Sequence, residues 1–180
     1  PIKVISVGRS HWKKGYHFAL DAMAILKAKK IEFEYSIIGA LGVEELEFQR
    51  HQLSLLSEVT FLDKVPFNEV KNLIREADVL LLPSVEEGIA NVVLEAMLLG
   101  TIVLTTNCGG MVESVENGDS GFVIPVRDSE AIAKALVQIK ETETTELQKM
   151  IDAAYAKVTA QHDENKMVAD MTALYKMVLN

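Results

Sequence analysis

The sequence predicts an α/β domain, doubly wound on a parallel sheet of six strands. Three observations predict it. Short β-branched or apolar runs alternate with segments of helical period along the whole chain. One run, "DVLLLP" at 78–83, is apolar after its first residue, the mark of a strand covered on both faces. No repeat, low-complexity tract or proline-rich linker divides the 180 residues, a length suited to one domain with a sizeable core.

The elements follow in order. "IKVISV" at 2–7 is short and β-branched and opens the sheet. Residues 15–30 carry Phe18, Ala22, Ile25 and Leu26 at helical spacing. "FEYSIIG" at 33–39 reads as a strand, 43–56 as a helix, and "VTFL" at 59–62 as a strand. A helix is expected over 68–77 with Asn68 as its N-cap. After the buried strand 78–83 come a helix over 91–99 and the strand "TIVLTT" over 101–106. A short helix over 111–118 should stop at Asn117-Gly118, and "GFVIP" at 121–125 is the last strand. A helix over 129–140, capped by Ser129, is followed by two more over 145–160 and 163–179, separated near His162.

The totals exclude some function classes. A net charge of −8 supplies no basic face for nucleic acid, although a small anionic ligand needs only a few local donors. Apolar residues make up 49% and charged residues 24%, ordinary for a globular protein. The single cysteine, Cys108, rules out an internal disulfide and fits a reducing compartment. No apolar run approaches the roughly 20 residues of a membrane span, and no signal peptide is visible. The chain opens directly on a strand, and we expect it to be part of something longer.

Ligands of doubly wound sheets bind beyond the C-terminal ends of the strands. That rule selects the loops after Val7, Ile38, Leu62, Pro83 and Thr106, and three motifs fall there. "GRSHWKKG" at 8–15 is not the G-x-G-x-x-G dinucleotide fingerprint, because only Gly8 and Gly15 are present. It offers Arg9, Lys13 and Lys14 instead. Arg brings a fork of donors and Lys a mobile point charge, a pair that suits a diphosphate. The plainer reading is a solvated basic loop. His11 lies in the same loop, within reach of a ligand there.

The second motif, "SVEEGIANVVLEAMLLG" at 84–100, sets Glu95 inside an otherwise apolar run from Val92 to Leu99. A carboxylate in such a place needs a partner or takes up a proton. Helix 91–99 aims its first amides and the positive end of its dipole at the ligand edge. Glu95, one turn in, could accept hydrogen bonds from two neighbouring hydroxyls, as on a ribose. The alternative is an internal ion pair with a neighbouring element. Gly88 would let backbone approach a ligand closely. Glu87 could touch sugar hydroxyls or stabilise developing positive charge; otherwise Glu86 and Glu87 form an exposed acidic turn. The third motif, "TNCGGMVESVENGDSGFVIP" at 106–125, brings Gly109-Gly110, whose amides suit a phosphate or sugar, and Glu113. Cys108 reads as a small buried thiol. His11, His17, His51 and His162 have no metal-ligand spacing.

These motifs resemble the C-terminal, donor-binding half of the retaining GT-B glycosyltransferases of family 4, which includes many enzymes of bacterial capsule, exopolysaccharide and lipopolysaccharide synthesis. The resemblance runs from about Val4 to Ile139, and more loosely through the C-terminal helices. It rests on the E-x7-E spacing from Glu87 to Glu95, the downstream G-G-x-x-E and the upstream R-x4-K from Arg9 to Lys14. It implies a Rossmann-like domain over residues 1–180 that binds a nucleotide-diphosphate sugar. Arg9 and Lys14 would hold the diphosphate as it leaves, Glu87 would lie against the donor sugar, and Glu95 would bind the ribose. Gly88 and the amides of Ala90, Asn91 and Val92 would reach the phosphates, and Leu62, Asp63 and Lys64 would frame the base. No bound metal or cofactor would be needed, because Arg, Lys and the helix N-terminus do a metal's electrostatic task. The acceptor would be a saccharide or lipid-linked, and the location cytoplasmic, with the inner face of the membrane as an option. Helices 145–179 would pack toward an N-terminal acceptor domain missing here, without which the chain would be inactive. The sequence departs from the family pattern at Gly39-Ala40-Leu41-Gly42, at Asp63 and at Ala90. Two other readings compete: a non-catalytic nucleotide-sugar-binding module, which would not need Glu87, and a dehydrogenase or sugar epimerase, which would need the glycine fingerprint.

Overall fold

The computed structural model describes residues 1–161. Six strands form one parallel sheet in the order β3-β2-β1-β4-β5-β6. They are β1 (Ile2–Val7), β2 (Phe33–Ile38), β3 (Val59–Leu62), β4 (Val79–Leu82), β5 (Ile102–Thr106) and β6 (Phe122–Ile124). The helices are α1 (Tyr16–Ala28), α2 (Glu44–Gln52), α3 (Phe67–Glu76), α4 (Asn91–Leu99), α5 (Met111–Ser114), α6 (Ser129–Glu141) and α7 (Thr144–Gln161). The doubly wound α/β expectation is borne out.

Burial follows the pleat. Val79 and Leu81 of β4 enter one core layer, and Leu80 and Leu82 enter the other. α1, α2 and α6 cover the first face, where Leu20, Met23 and Leu26 of α1 are fully buried. Each such side chain stabilises the fold by about 1.5–3 kcal/mol. α3, α4 and α5 cover the second face through Val70, Ile74, Val93, Met97 and Met111. α7 crosses between the layers. Leu147, Met150 and Ile151 pack on the first, and Ala154 and Val158 are buried in the second. The expected helix over 163–179 lies outside the described residues.

Several boundaries differ from expectation. Pro66, not Asn68, occupies the N-cap of α3, and Asn68 lies exposed in the first turn. Asp128, not Ser129, caps α6, because its carboxylate reaches the Ala131 amide at 2.8 Å. The helix expected over 111–118 ends at Ser114, with Val115 already extended. Asn117 instead turns its side-chain oxygen to accept from the Val123 amide at 2.9 Å. The 15–30 segment starts at Tyr16, with Gly15 as its left-handed N-cap. The 43–56 helix is shortened to Glu44–Gln52.

Candidate functional site

Strand order reverses between β1 and β4, so the loops that follow them rise side by side at the C-terminal edge of the sheet. The first loop holds a 3-10 turn, Trp12–Lys14, that the pattern of residues did not announce. The loops are fitted to each other at backbone level. The Val85 amide donates to the Lys13 carbonyl at 2.7 Å. Gly15 has φ 65°, and a Cβ there would lie 2.1 Å from the Pro83 carbonyl oxygen. The β5 loop closes the far side. Gly109 has φ 50°, and its Cβ would fall 1.7 Å from the Glu87 carbonyl oxygen. The Thr106 hydroxyl donates to the Ser84 carbonyl at 2.5 Å. The segment that carries Glu87 is thus held between the loops of β1 and β5.

Across this crevice two successive lysines face two successive glutamates. Lys14 Nζ lies 2.5 Å from Glu87 Oε2, both half-buried, and Lys13 Nζ lies 2.9 Å from Glu86 Oε2, farther out. The Ser84 hydroxyl also donates to Glu87 Oε2, at 3.4 Å. Beneath them, buried Tyr16 donates its hydroxyl to the Gly8 carbonyl at 3.2 Å. Burial, reinforced by the nearby Glu87 carboxylate, pushes the Tyr16 phenol far above its ordinary range, so it stays a neutral donor. Sequence reasoning read Lys13 as a charge for a diphosphate and Glu86 as part of an exposed acidic turn without foreseeing that they pair, and it gave Tyr16, Ser84 and Thr106 no part. The Lys14–Glu87 and Lys13–Glu86 pairs join loops 73 residues apart in the chain, the Thr106–Ser84 bond spans 22 residues, and the Ser84–Glu87 and Tyr16–Gly8 bonds are local.

Glu95 stands in the second turn of α4, half-buried. It forms no ion pair or hydrogen bond with a described residue, so the alternative of an internal salt bridge finds no partner among the described residues. Burial raises its pKa, and Lys71 on α3 offsets this in part. The Lys71 ammonium itself sits 4.3 Å from the centre of the Phe67 ring. α4 begins without a side-chain cap at Ala90, which leaves its first amides, near Asn91 and Val92, facing the crevice edge. Space beside Gly88 is open, whereas close backbone contact at this edge requires glycine at Gly15, at Gly109 and at Gly39, whose Cβ would lie 2.5 Å from the Gly8 carbonyl oxygen. Arg9 is exposed at the mouth of the first loop. Leu62 ends β3 at the outer edge of the sheet, and Asp63 and Lys64 follow it, with Asp63 Oδ1 accepting from the Lys64 amide at 2.7 Å. The structure therefore brings Lys14 and Glu87 together and spreads the other expected residues along one edge.

The model of the family described as glycosyl transferases group 1 matches residues 1–157. This chain belongs to that family. Among the group 1 relatives, WcaL, assigned to colanic acid biosynthesis in Escherichia coli strain K12, is 36% identical over 93% of this chain and 43% of its own length. The amylovoran biosynthesis glycosyltransferase AmsK of Erwinia amylovora is 33% identical over 92% of this chain and 42% of its own. The chain spans less than half the length of either relative. Anabaena Alr3699/HepE, solved with UDP-glucose, is 25% identical with a TM-score of 0.83, over 96% of this chain and 48% of that one. The solved neighbours are GT-B glycosyltransferases, and this group 1 domain has the Rossmann-like fold of one half of them, as the resemblance implied. Among the described residues no helix is long and apolar enough to cross a membrane.

Proposed function

We propose that this chain is the donor-binding half of a retaining glycosyltransferase, acting in the cytoplasm on bacterial surface polysaccharide. The enzyme moves a sugar from a nucleoside diphosphate to a saccharide or lipid-linked acceptor. The observation that carries the proposal is the Lys14–Glu87 pair across the β1–β4 crevice, beside the uncapped start of α4. A cation for a leaving diphosphate and a carboxylate for a cationic sugar carbon are the two charges the reaction needs. Before the donor enters, they neutralise each other. The diphosphate takes over Lys14 and Arg9 and frees Glu87 to face the sugar. The amides of Ala90, Asn91 and Val92 add the positive potential of the helix end, with Gly88 leaving room for the phosphates. Glu95 accepts from the ribose hydroxyls. The row Val7–Ile38–Leu62 crosses three paired strands, about 10 Å at the usual strand spacing, which carries the base outward to Leu62, Asp63 and Lys64. Arg9, Lys14 and the α4 terminus supply the electrostatics, so the proposal includes no metal or cofactor.

Calorimetry with UDP, GDP and ADP tests this reading. At least one nucleotide should bind, and Arg9→Ala and Lys14→Ala should each weaken it by about tenfold, since charge-assisted hydrogen bonds contribute roughly 1.5–3 kcal/mol. Unchanged affinity in both variants would remove these residues from the site.

A further inference from the structure

We propose that a hollow beside the 3-10 turn is a saccharide subsite that takes a neutral pyranose unit of the acceptor, a proposal that rests on the glycosyl-transfer reading above. The hollow is about 410 Å³ and lies between the Gly8–Gly15 loop and the start of α2. That is within the range of small-molecule sites, about 300–1,000 Å³. It does not include Lys14, Glu87 or Glu95, so it is separate from the donor crevice while sharing a loop with it.

Its lining has the mixed chemistry of a sugar. Trp12 forms one wall and is 59% exposed, a large apolar ring left facing water. One face of a pyranose is made of C–H groups, and it covers an indole well. Around Trp12 stand hydrogen-bonding groups with spare capacity. Ser10 and Glu45 make no side-chain hydrogen bond or ion pair with a described residue. Gln49 spends its amide hydrogens on the His17 carbonyl at 2.9 Å and the Asp21 carboxylate at 2.8 Å. That fixes the amide plane and leaves its carbonyl oxygen an oriented acceptor. Burial lowers the pKa of His17, partly opposed by Asp21, so its imidazole is held neutral, with a donor and an acceptor.

The same lining excludes other ligands. No lysine or arginine lines the hollow, and the Glu45 carboxylate repels phosphate. Lys13, next to Trp12 in the chain, is turned to Glu86 and to the Trp12 ring, 5.7 Å from its centre. A wholly apolar ligand would strand the polar groups of Ser10, Glu45 and Gln49. A neutral polyol with one apolar face satisfies both. Trp12 is two residues from Lys14, so a sugar bound here is a non-reacting unit of the acceptor. Its binding energy helps position the reacting hydroxyl over the donor.

Trp12 is the only tryptophan in the chain, so tryptophan emission reports on the wall of this hollow. The chain should be titrated with methyl glucoside, methyl galactoside, methyl mannoside, maltose and lactose, with UDP, GDP and ADP in parallel. At least one sugar should give a saturable emission change. Glu45→Ala and Gln49→Ala should each weaken that sugar by threefold or more, with nucleotide affinity unchanged. Trp12→Phe, followed by ligand-observed NMR, should weaken it too. No saturable change with any of the five sugars overturns the subsite, as does unchanged sugar affinity in both polar variants. Nucleotide binding without sugar binding removes the subsite and spares the donor reading. Sugar binding without nucleotide binding supports the subsite and removes the donor reading.

Discussion

Under the proposed reading, Glu95 links stability to binding through one carboxylate. Burial raises its pKa in the folded state, with Lys71 opposing only in part. Its contribution to stability is therefore fully present below the unfolded pKa, about 4.3 for glutamate, and is lost as pH rises through the higher folded value. At neutral pH the ionised side chain is a net cost. Glu95→Gln is expected to raise the melting temperature slightly at pH 7, and the gain should vanish below about pH 4. An internal ion pair would have given the opposite sign, a loss of about 3–5 kcal/mol. The same variant should lose about tenfold in nucleoside-diphosphate affinity and keep its affinity for inorganic pyrophosphate, since only the proposed ribose contact is removed. Melting curves at two pH values and calorimetry with the two ligands check both halves. Glu95 was legible in sequence because a lone acid in an apolar helix is an anomaly. Tyr16 was not, since a tyrosine at a helix start has no such contrast, and its value comes from burial under Gly8 and Glu87.

At the level of elements, the loops carry the geometry and the helices hold them. Gly109→Ala would force a left-handed residue to carry a Cβ into the Glu87 carbonyl. The strain alone costs about 1–3 kcal/mol, and relief requires Glu87 to move. The variant should therefore both melt earlier and bind nucleotide more weakly. Asp128→Ala removes the α6 cap and should cost about 1 kcal/mol with nucleotide affinity intact, because α6 follows the far edge strand β6. Ser129→Ala should cost much less, and thermal melts of the pair decide which residue is the cap. Periodicity made the helix bodies and all six strands readable. It could not place Asp128 or Pro66, because a cap is set by which side chain reaches an amide, and neighbouring polar residues look alike in sequence. The 3-10 turn was hidden for a related reason: three residues are too few to show a period.

At the level of the whole molecule, the chain spans less than half the length of its curated relatives, and the proposed reading gives it the donor elements and one acceptor subsite but not the rest of the acceptor side. Correct positioning of a second reactant can account for about 7–11 kcal/mol of a barrier. The chain alone is expected to bind nucleotide weakly and transfer no measurable sugar, with activity appearing once an N-terminal acceptor domain is supplied. Robust turnover by residues 1–180 with a simple sugar acceptor would overturn the half-enzyme reading. The order β3-β2-β1-β4-β5-β6 has another consequence. Everything on one side of the reversal comes from the first part of the chain, and everything on the other from the second. β1 and β2 register along the whole of β1, yet β1 and β4 register only through Val4–Val79 and Ile5–Leu80. The junction is therefore the sparsest line of pairing in the interior of the sheet, and α1 against α6 braces it from one face. Backbone cleavage in the mostly exposed stretch 63–66 would yield two fragments, each with three adjacent strands. They should reassociate by fragment complementation. A nucleotide that bridges Lys14 on one fragment and Glu95 on the other would act as the glue, tightening their association in proportion to its own affinity.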